Sequence, residues 1–160
     1  MPANATTFTP VDLDGIGDIV DAGQATSYPE LRQPSSPTVG QLMSAAESVA
    51  ELLTSSTSQS GPDGVWQEYP LAEALQARAV VLQPSQFAPL PGARCVRGGG
   101  VLYLAQGQAH MVVMAAEGQL LAVHTLTAHR GRSLASPEAH QVINTGDTPV
   151  LLVHVIGQDR

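Results

Sequence analysis

From Val65 onward the chain is divided into short apolar runs rich in β-branched residues, each bounded by glycine, proline or a polar turn. No other feature constrains the fold as tightly. The candidate strands are Arg78–Leu82, Val101–Ala105, His110–Met114, Leu120–Leu126, Arg132–Ser136, Gln141–Asn144 and Val150–Ile156. Gly107, Glu117-Gly118, Gly131 and Thr145-Gly146-Asp147 punctuate them. No helical periodicity separates them, so alternating βαβ units are excluded. Such regular spacing predicts a sandwich or closed barrel.

The preceding residues have another texture. Residues 1–37 are rich in Pro, Ser, Thr and Asp, with sparse apolar residues at Phe8, Val11, Leu13, Ile16, Ile19 and Val20. They read as an extended arm that packs on something. Leu42, Ala45, Ala46, Val49, Leu52 and Leu53 then recur at helical spacing. Thr38 followed by Gln41 reads as a capping box, and the spacing predicts a helix over 38–54. The run from Ser56 to Gly64 stops it. The expected organisation is an acidic arm, helix and linker over 1–64 and a β-barrel over 65–160.

Charge excludes several functions. The 160 residues contain no lysine, and all seven basic residues are arginine. A Schiff-base, pyridoxal-phosphate or P-loop mechanism built on an internal lysine is therefore ruled out. So few cations, in a chain of net charge −7, leave no basic stripe for nucleic acid. Residues 1–77 set ten carboxylates against Arg32 alone, a balance of −9. Residues 78–160 set six arginines against four carboxylates, a balance of +2. Cys95 is the one cysteine, so neither an intrachain disulfide nor a Cys-rich zinc site can form. The first residues have no basic or apolar signal region, and no run reaches membrane-spanning length. The expectation is a cytoplasmic protein with no membrane partner.

The segment from Gly131 to Val153 carries the most information. Gly131, Pro137, His140 and Asn144 resemble the second conserved motif of the cupin family: a Gly, five residues, a Pro, then a His, three residues and an Asn. Two residues, Glu138 and Ala139, stand between Pro and His where the family has four. The following NTGDTPVLLVHV resembles the family's last hairpin, and Val101–Gly107 the strand closing its first motif. The resemblance covers about half the chain. It implies a cupin-type double-stranded β-barrel, or jelly roll, of mainly β class, and a homodimer. It further implies a centre of three His and one carboxylate for a divalent transition metal. The first motif should supply an HxH pair and a Glu. Residues 89–100 contain neither, and of the four implied ligands only His140 is present. One imidazole does not hold a metal against water. The expectation is no cofactor, or a rebuilt site joining His140 with His124, His154 or Cys95.

Other candidates are weaker. His124 shares its alternation phase with Ala122 and Leu126, and His154 with Leu152 and Ile156, so both can face inward. Arg94 and Arg97 flank Cys95 where a barrel mouth is expected, and guanidinium groups there suit a carboxylate or phosphate. Tyr103 lies on the neighbouring strand and joins the candidate ligand-binding set. The stretch from Asp12 to Asp18 lacks the oxygen ligand and glutamate of a calcium loop. Gly98-Gly99-Gly100 lacks the spacing of a nucleotide loop.

Two function classes follow. The lost ligands favour a non-catalytic barrel that binds a small molecule or serves assembly. The alternative is a cupin enzyme, an isomerase, lyase or oxygenase, with His140 as acid/base or sole inherited ligand.

Overall fold

The structure, a computed structural model, describes residues 36–56, 63–71, 74–91, 99–134 and 139–157. The arm over 1–35 lies outside these residues, as do Arg94, Cys95, Arg97 and Pro137.

The helix α1 spans Val39–Ser55. The Thr38 side chain accepts from the Gln41 backbone N–H at 3.2 Å, and the Gln41 side chain accepts from the Thr38 N–H at 2.9 Å. Both halves of the capping box are thus made, satisfying donors that the first turn leaves open. Leu42, Ala46, Val49, Ala50 and Leu53 form its buried stripe. Leu52, expected on that stripe, is 62% exposed. It lies just past the edge of the stripe that Val49 marks.

Among the described residues nine strands follow: β1 (Gln67–Pro70), β2 (Leu75–Leu82), β3 (Phe87–Pro89), β4 (Gly100–Gln106), β5 (Ala109–Met114), β6 (Leu120–Leu126), β7 (Arg130–Leu134), β8 (Ala139–Asn144) and β9 (Val150–Gly157). They form an antiparallel sheet A in the order β1-β2-β9-β4-β7 and a sheet B in the order β3-β8-β5-β6. The seven expected strands are all present. Strands β1 and β3 were not expected. Each is short, contains a proline and lies at a sheet edge, where a missing N–H is tolerated. Strand β7 is paired from Arg130 rather than Arg132. Residues 135–138 lie outside the described set.

The inner faces of the two sheets meet in one apolar cluster that includes Val80, Leu82, Leu102, Leu104, Met111, Val113, Val142 and Leu152. A second cluster lies outside sheet A. There the α1 stripe packs on Ala77, Ala79, Val101, Tyr103, Ala105, Leu151, Val153 and Val155. The three alanines let the helix approach closely. At Gly131 a Cβ would meet the end of the Met43 side chain from α1, which would have to shift to admit it. Gly107, at φ +88°, makes the tight turn between β4 and β5 against Val150.

Asn144 is 1% exposed and fully satisfied. Its Nδ2 donates to the carbonyls of Leu82 and Thr148, both at 2.9 Å, and its Oδ1 accepts from the Gly146 N–H at 2.9 Å. It ties the end of β2 to the turn between β8 and β9. One position of the cupin-like motif, Asn144, therefore has a structural role that needs no ligand.

Candidate functional site

Strand register lines up five residues across the inner face of sheet A. Glu68 pairs with Arg78, Arg78 with His154, His154 with Leu102, and Leu102 with Arg132. On the inner face of sheet B, Val113 pairs with His140 on one side and Ala122 on the other. In the next row Val142, Met111 and His124 align. Alternation alone dictates this, since each polar residue shares its phase with a residue of the interior cluster.

His154 is the centre of the arrangement. It is 1% exposed, and its Nε2 has no hydrogen-bond partner among the described residues. The Trp66 ring meets it edge-on, with centroids 6.2 Å apart. Gly100 packs closely against it: a Cβ there would stand 3.1 Å from Nε2 and 3.0 Å from the Ile156 side chain. Burial, then the positive charge of Arg78 and the neighbouring His140, lower its pKa from 6.5 to about 4. His154 is therefore a neutral imidazole at physiological pH.

The surrounding polar groups are mostly engaged. Arg78 donates through Nε at 3.1 Å and Nη2 at 2.9 Å to Oε1 of Glu68. Gln76 donates to the same oxygen at 3.0 Å. At the opposite edge, Nη2 of Arg132 stands 3.2 Å from Nε2 of His124, bridging sheet A to sheet B. The Trp66 Nε1–H donates to the Pro89 carbonyl at 2.8 Å, a second bridge on the β1–β3 side. The interior end is thus laced shut at both flanks, with an unpaired imidazole nitrogen between them.

Of the candidates read from the sequence, His124, His140 and His154 lie on inner faces of the barrel. Tyr103 does not. Leu102 and Leu104 point inward, so Tyr103 points out and packs beneath α1. There it lines a cleft of about 230 Å³ with Glu47, Glu51, Thr54 and His129. Burial and the two glutamates raise its pKa. The sheet separates it from the histidines. Sequence reasoning missed Arg78, Arg132 and Trp66. The signal for the arginines was present: Arg78 is in phase with Val80 and Leu82, and Arg132 with Leu134.

The residues described do not fit the metal centre that the resemblance implies. No three His, Cys, Asp or Glu among them stand close enough to share an ion. The donor chemistry agrees. His124 Nε2 faces a guanidinium, the charge of Arg78 bears on His154, and the row's one carboxylate is taken by Arg78.

No protein-family profile and no curated protein matches this sequence. Solved structures do match in shape. An oxalate oxidase in complex with the substrate analogue glycolate aligns with TM-score 0.51 at 17% identity, covering 66% of this chain and 57% of that one. A recombinant oxalate oxidase in complex with glycolate gives 0.50 at 16%, covering 66% and 56%. The Cupin_2 domain of an XRE family transcriptional regulator from Enterobacter cloacae gives 0.47 at 19%, covering 60% and 97%. The chain spans little more than half the length of the oxalate oxidase chains.

Proposed function

Since the described part of this chain has the cupin fold, a barrel that serves many unrelated chemistries, we propose that it is a non-catalytic small-molecule-binding subunit with a degenerate metal site. One observation carries the reading: a fully buried imidazole nitrogen, Nε2 of His154, left without a partner inside the barrel. Buried polar groups are almost always satisfied, and leaving one open costs about 1–3 kcal/mol. A ligand that bonds it recovers that cost. The missing HxH pair and the arginines on the inner row support binding without a metal.

Metal analysis of the purified protein tests the metal half. The expected content is well below one iron, manganese, nickel or zinc per chain. A stoichiometric metal that is lost on His140→Ala would overturn it. Titration of the His154 ring nitrogens by NMR with small organic molecules tests the binding half.

A second reading has one observation behind it. His140 stands opposite His154, near enough that its charge bears on it. A half-open imidazole facing a neutral one can pass a proton as acid or base. Turnover abolished by His140→Gln, with ligand affinity retained, would establish that reading.

The outer face of sheet B supports a homodimer. Phe87, Ile143, Val112, Val123, Met114 and Leu121 share it, and no Asp, Glu or Arg in β3, β5, β6 or β8 interrupts them. In a chain of net charge −7, an uncharged face is where two copies meet with least repulsion. Sedimentation over a range of concentrations tests it, with Val123→Asp expected to give monomer. A lone cysteine suits a reducing, cytoplasmic setting, and no helix among the described residues is long and apolar enough to cross a membrane.

A further inference from the structure

We infer that the cleft between α1 and the outer face of sheet A is a second binding site, which takes a small organic ammonium ion on Glu47, Glu51 and Tyr103. It lies across the sheet from the barrel interior and does not depend on what the interior holds.

The first argument is a covered hydroxyl. Around Tyr103 on the outer face of sheet A stand Val101, Ala105 and Val153, none with a polar side-chain atom. Tyr103 is itself 6% exposed, yet it lines the cleft and makes no hydrogen bond through its hydroxyl among the described residues. A phenylalanine would fill the same space, and a covered phenol normally finds a partner. Burial, then the charges of Glu47 and Glu51, raise its pKa, so the hydroxyl and both carboxylates face one space.

The second argument is charge. Glu47 and Glu51 stand one turn apart on the same face of α1, a spacing at which like charges repel. Neither makes an ion pair among the described residues, where the one salt bridge joins Arg78 to Glu68. No arginine among these residues lines the cleft. The last turn of α1 also lacks a basic residue, and the helix dipole adds negative potential at that end. A cation relieves all of this, whereas an anion would meet two carboxylates.

The third argument is the excess of acceptors. Carboxylates accept only. Thr54 spends its hydroxyl proton on the carbonyls of Ala50 and Glu51, at 2.9 and 3.1 Å, so its oxygen meets the cleft as an acceptor. A primary ammonium has three N–H donors and no acceptor. Glu47, Glu51 and the Tyr103 oxygen are three acceptors for it. A divalent metal lacks its ligands here, since no three His, Cys, Asp or Glu among the described residues can share one. The volume of about 230 Å³ is below the roughly 300–1,000 Å³ of sites for drug-sized molecules, and Ala50 and Ala105 supply apolar lining, so a short alkyl amine suits it.

Butylammonium, n-butanol and tetramethylammonium, titrated into the full chain at constant ionic strength, test the inference. The readout is the backbone amide shifts of Glu51, Tyr103 and Ala105 by NMR. Butylammonium should shift all three saturably. Neither the alcohol, which has no charge, nor the quaternary ion, which has no N–H, should match it. Glu47→Gln and Glu51→Gln should each weaken binding about fivefold. Tyr103→Phe keeps the covering ring and should also weaken it about fivefold. Glu117→Gln, at an exposed carboxylate in the turn between β5 and β6, should leave it unchanged. Equal binding by tetramethylammonium, or unchanged affinity in Tyr103→Phe, would overturn the three-acceptor assignment. A loss in Glu117→Gln equal to that in Glu51→Gln would reduce the effect to the chain's net charge of −7. Tighter binding of calcium than of butylammonium would make the cleft a metal site instead, and the absence of any saturable shift would remove the site.

Discussion

Sheet A is packed on both faces, whereas the described residues of sheet B are packed on one. The sequences of the strands record the difference. Strands β4 and β9 read almost without interruption as apolar, VLYLA and VLLVHVI, and are buried along nearly their whole length. The core fills one face and α1 covers the other. Strand β5 alternates buried with half-buried, and β6 exposes Leu121 and Val123. A continuous apolar run in an antiparallel sheet thus signals a second covering layer, here the helix. The histidines divide the same way. His154, on a doubly covered strand, is sealed and titrates low, while His124 and His140 on sheet B remain half-open.

The largest expected effect probes the cover on sheet A. Leu42→Ala should destabilise the fold by about 2–5 kcal/mol, because its side chain is 1% exposed. Leu52→Ala on the same helix should stay within about 0.5 kcal/mol, because that leucine is 62% exposed. Both exchanges are Leu to Ala, so propensity cancels between them. Equal urea midpoints would mean that α1 does not cover the sheet.

The next effect probes the sealed histidine. Its folded pKa, about 4, lies below the unfolded value of 6.5. The unfolded chain therefore takes up the proton first as pH falls. The associated stability is intact above pH 6.5 and is lost as pH drops towards 4. Between pH 7.5 and 4.5 the loss is about 2–3 kcal/mol. Arg78 and His140 are the charged or titratable groups that bear directly on the ring, with Glu68 behind Arg78. His154→Phe should remove this part of the pH dependence, read from denaturant titrations at both pH values. An unchanged slope would show that His154 is solvated like its counterparts on sheet B.

A smaller effect is expected at the start of the cover. Thr38→Ala should cost about 1 kcal/mol through the lost cap, and Thr38→Asn should restore most of it. Smallest of all, Val123→Asp on the open face of sheet B should leave the dilute single chain within about 0.5 kcal/mol of the parent. At higher concentration it should abolish the dimer. A large loss in the dilute chain would mean that sheet B is covered from within its own chain.

Much of the fold was legible because alternation and capping are local. Thr38 and Gln41 announced the helix start three residues apart, and the long strands announced themselves through unbroken Val and Leu. Strands β1 and β3 were not legible. Pairing that short is decided by the partner strand, and QEYP and FAP carry no pattern of their own. Leu52 was misplaced because i, i+3, i+4 spacing fits a broader stripe than the helix buries. The site was legible only in part. The phase of His124 and His154 followed from their neighbours, but nothing local says that Arg78 and His154, 76 residues apart, are cross-strand partners. Tyr103 was read together with the expected mouth, whereas its own phase against Leu102 places it on the outer face beneath α1.

The order of strands in sheet A has a consequence for how this protein is made. Strand β9 lies between β2 and β4 at the centre of the sheet, yet it is the last described segment of the chain. The helix, translated first among the described elements, packs on Leu151, Val153 and Val155 of that strand. While the nascent chain is still emerging, α1 and β2 have no completed surface to join. Isolated helices of this length are marginal in water, so α1 and the open edge of the β1–β2 pair wait for their partner strand until residues 150–157 clear the ribosome. Pairing between sequence-distant strands also slows the search for the native state, to milliseconds or longer for barrels of this kind. A stall or truncation before Val150 therefore leaves sheet A without its central strand. Exposed apolar strands in that state are the material of aggregation, and this protein's dependence on holdase chaperones should be greatest just before residues 150–157 appear.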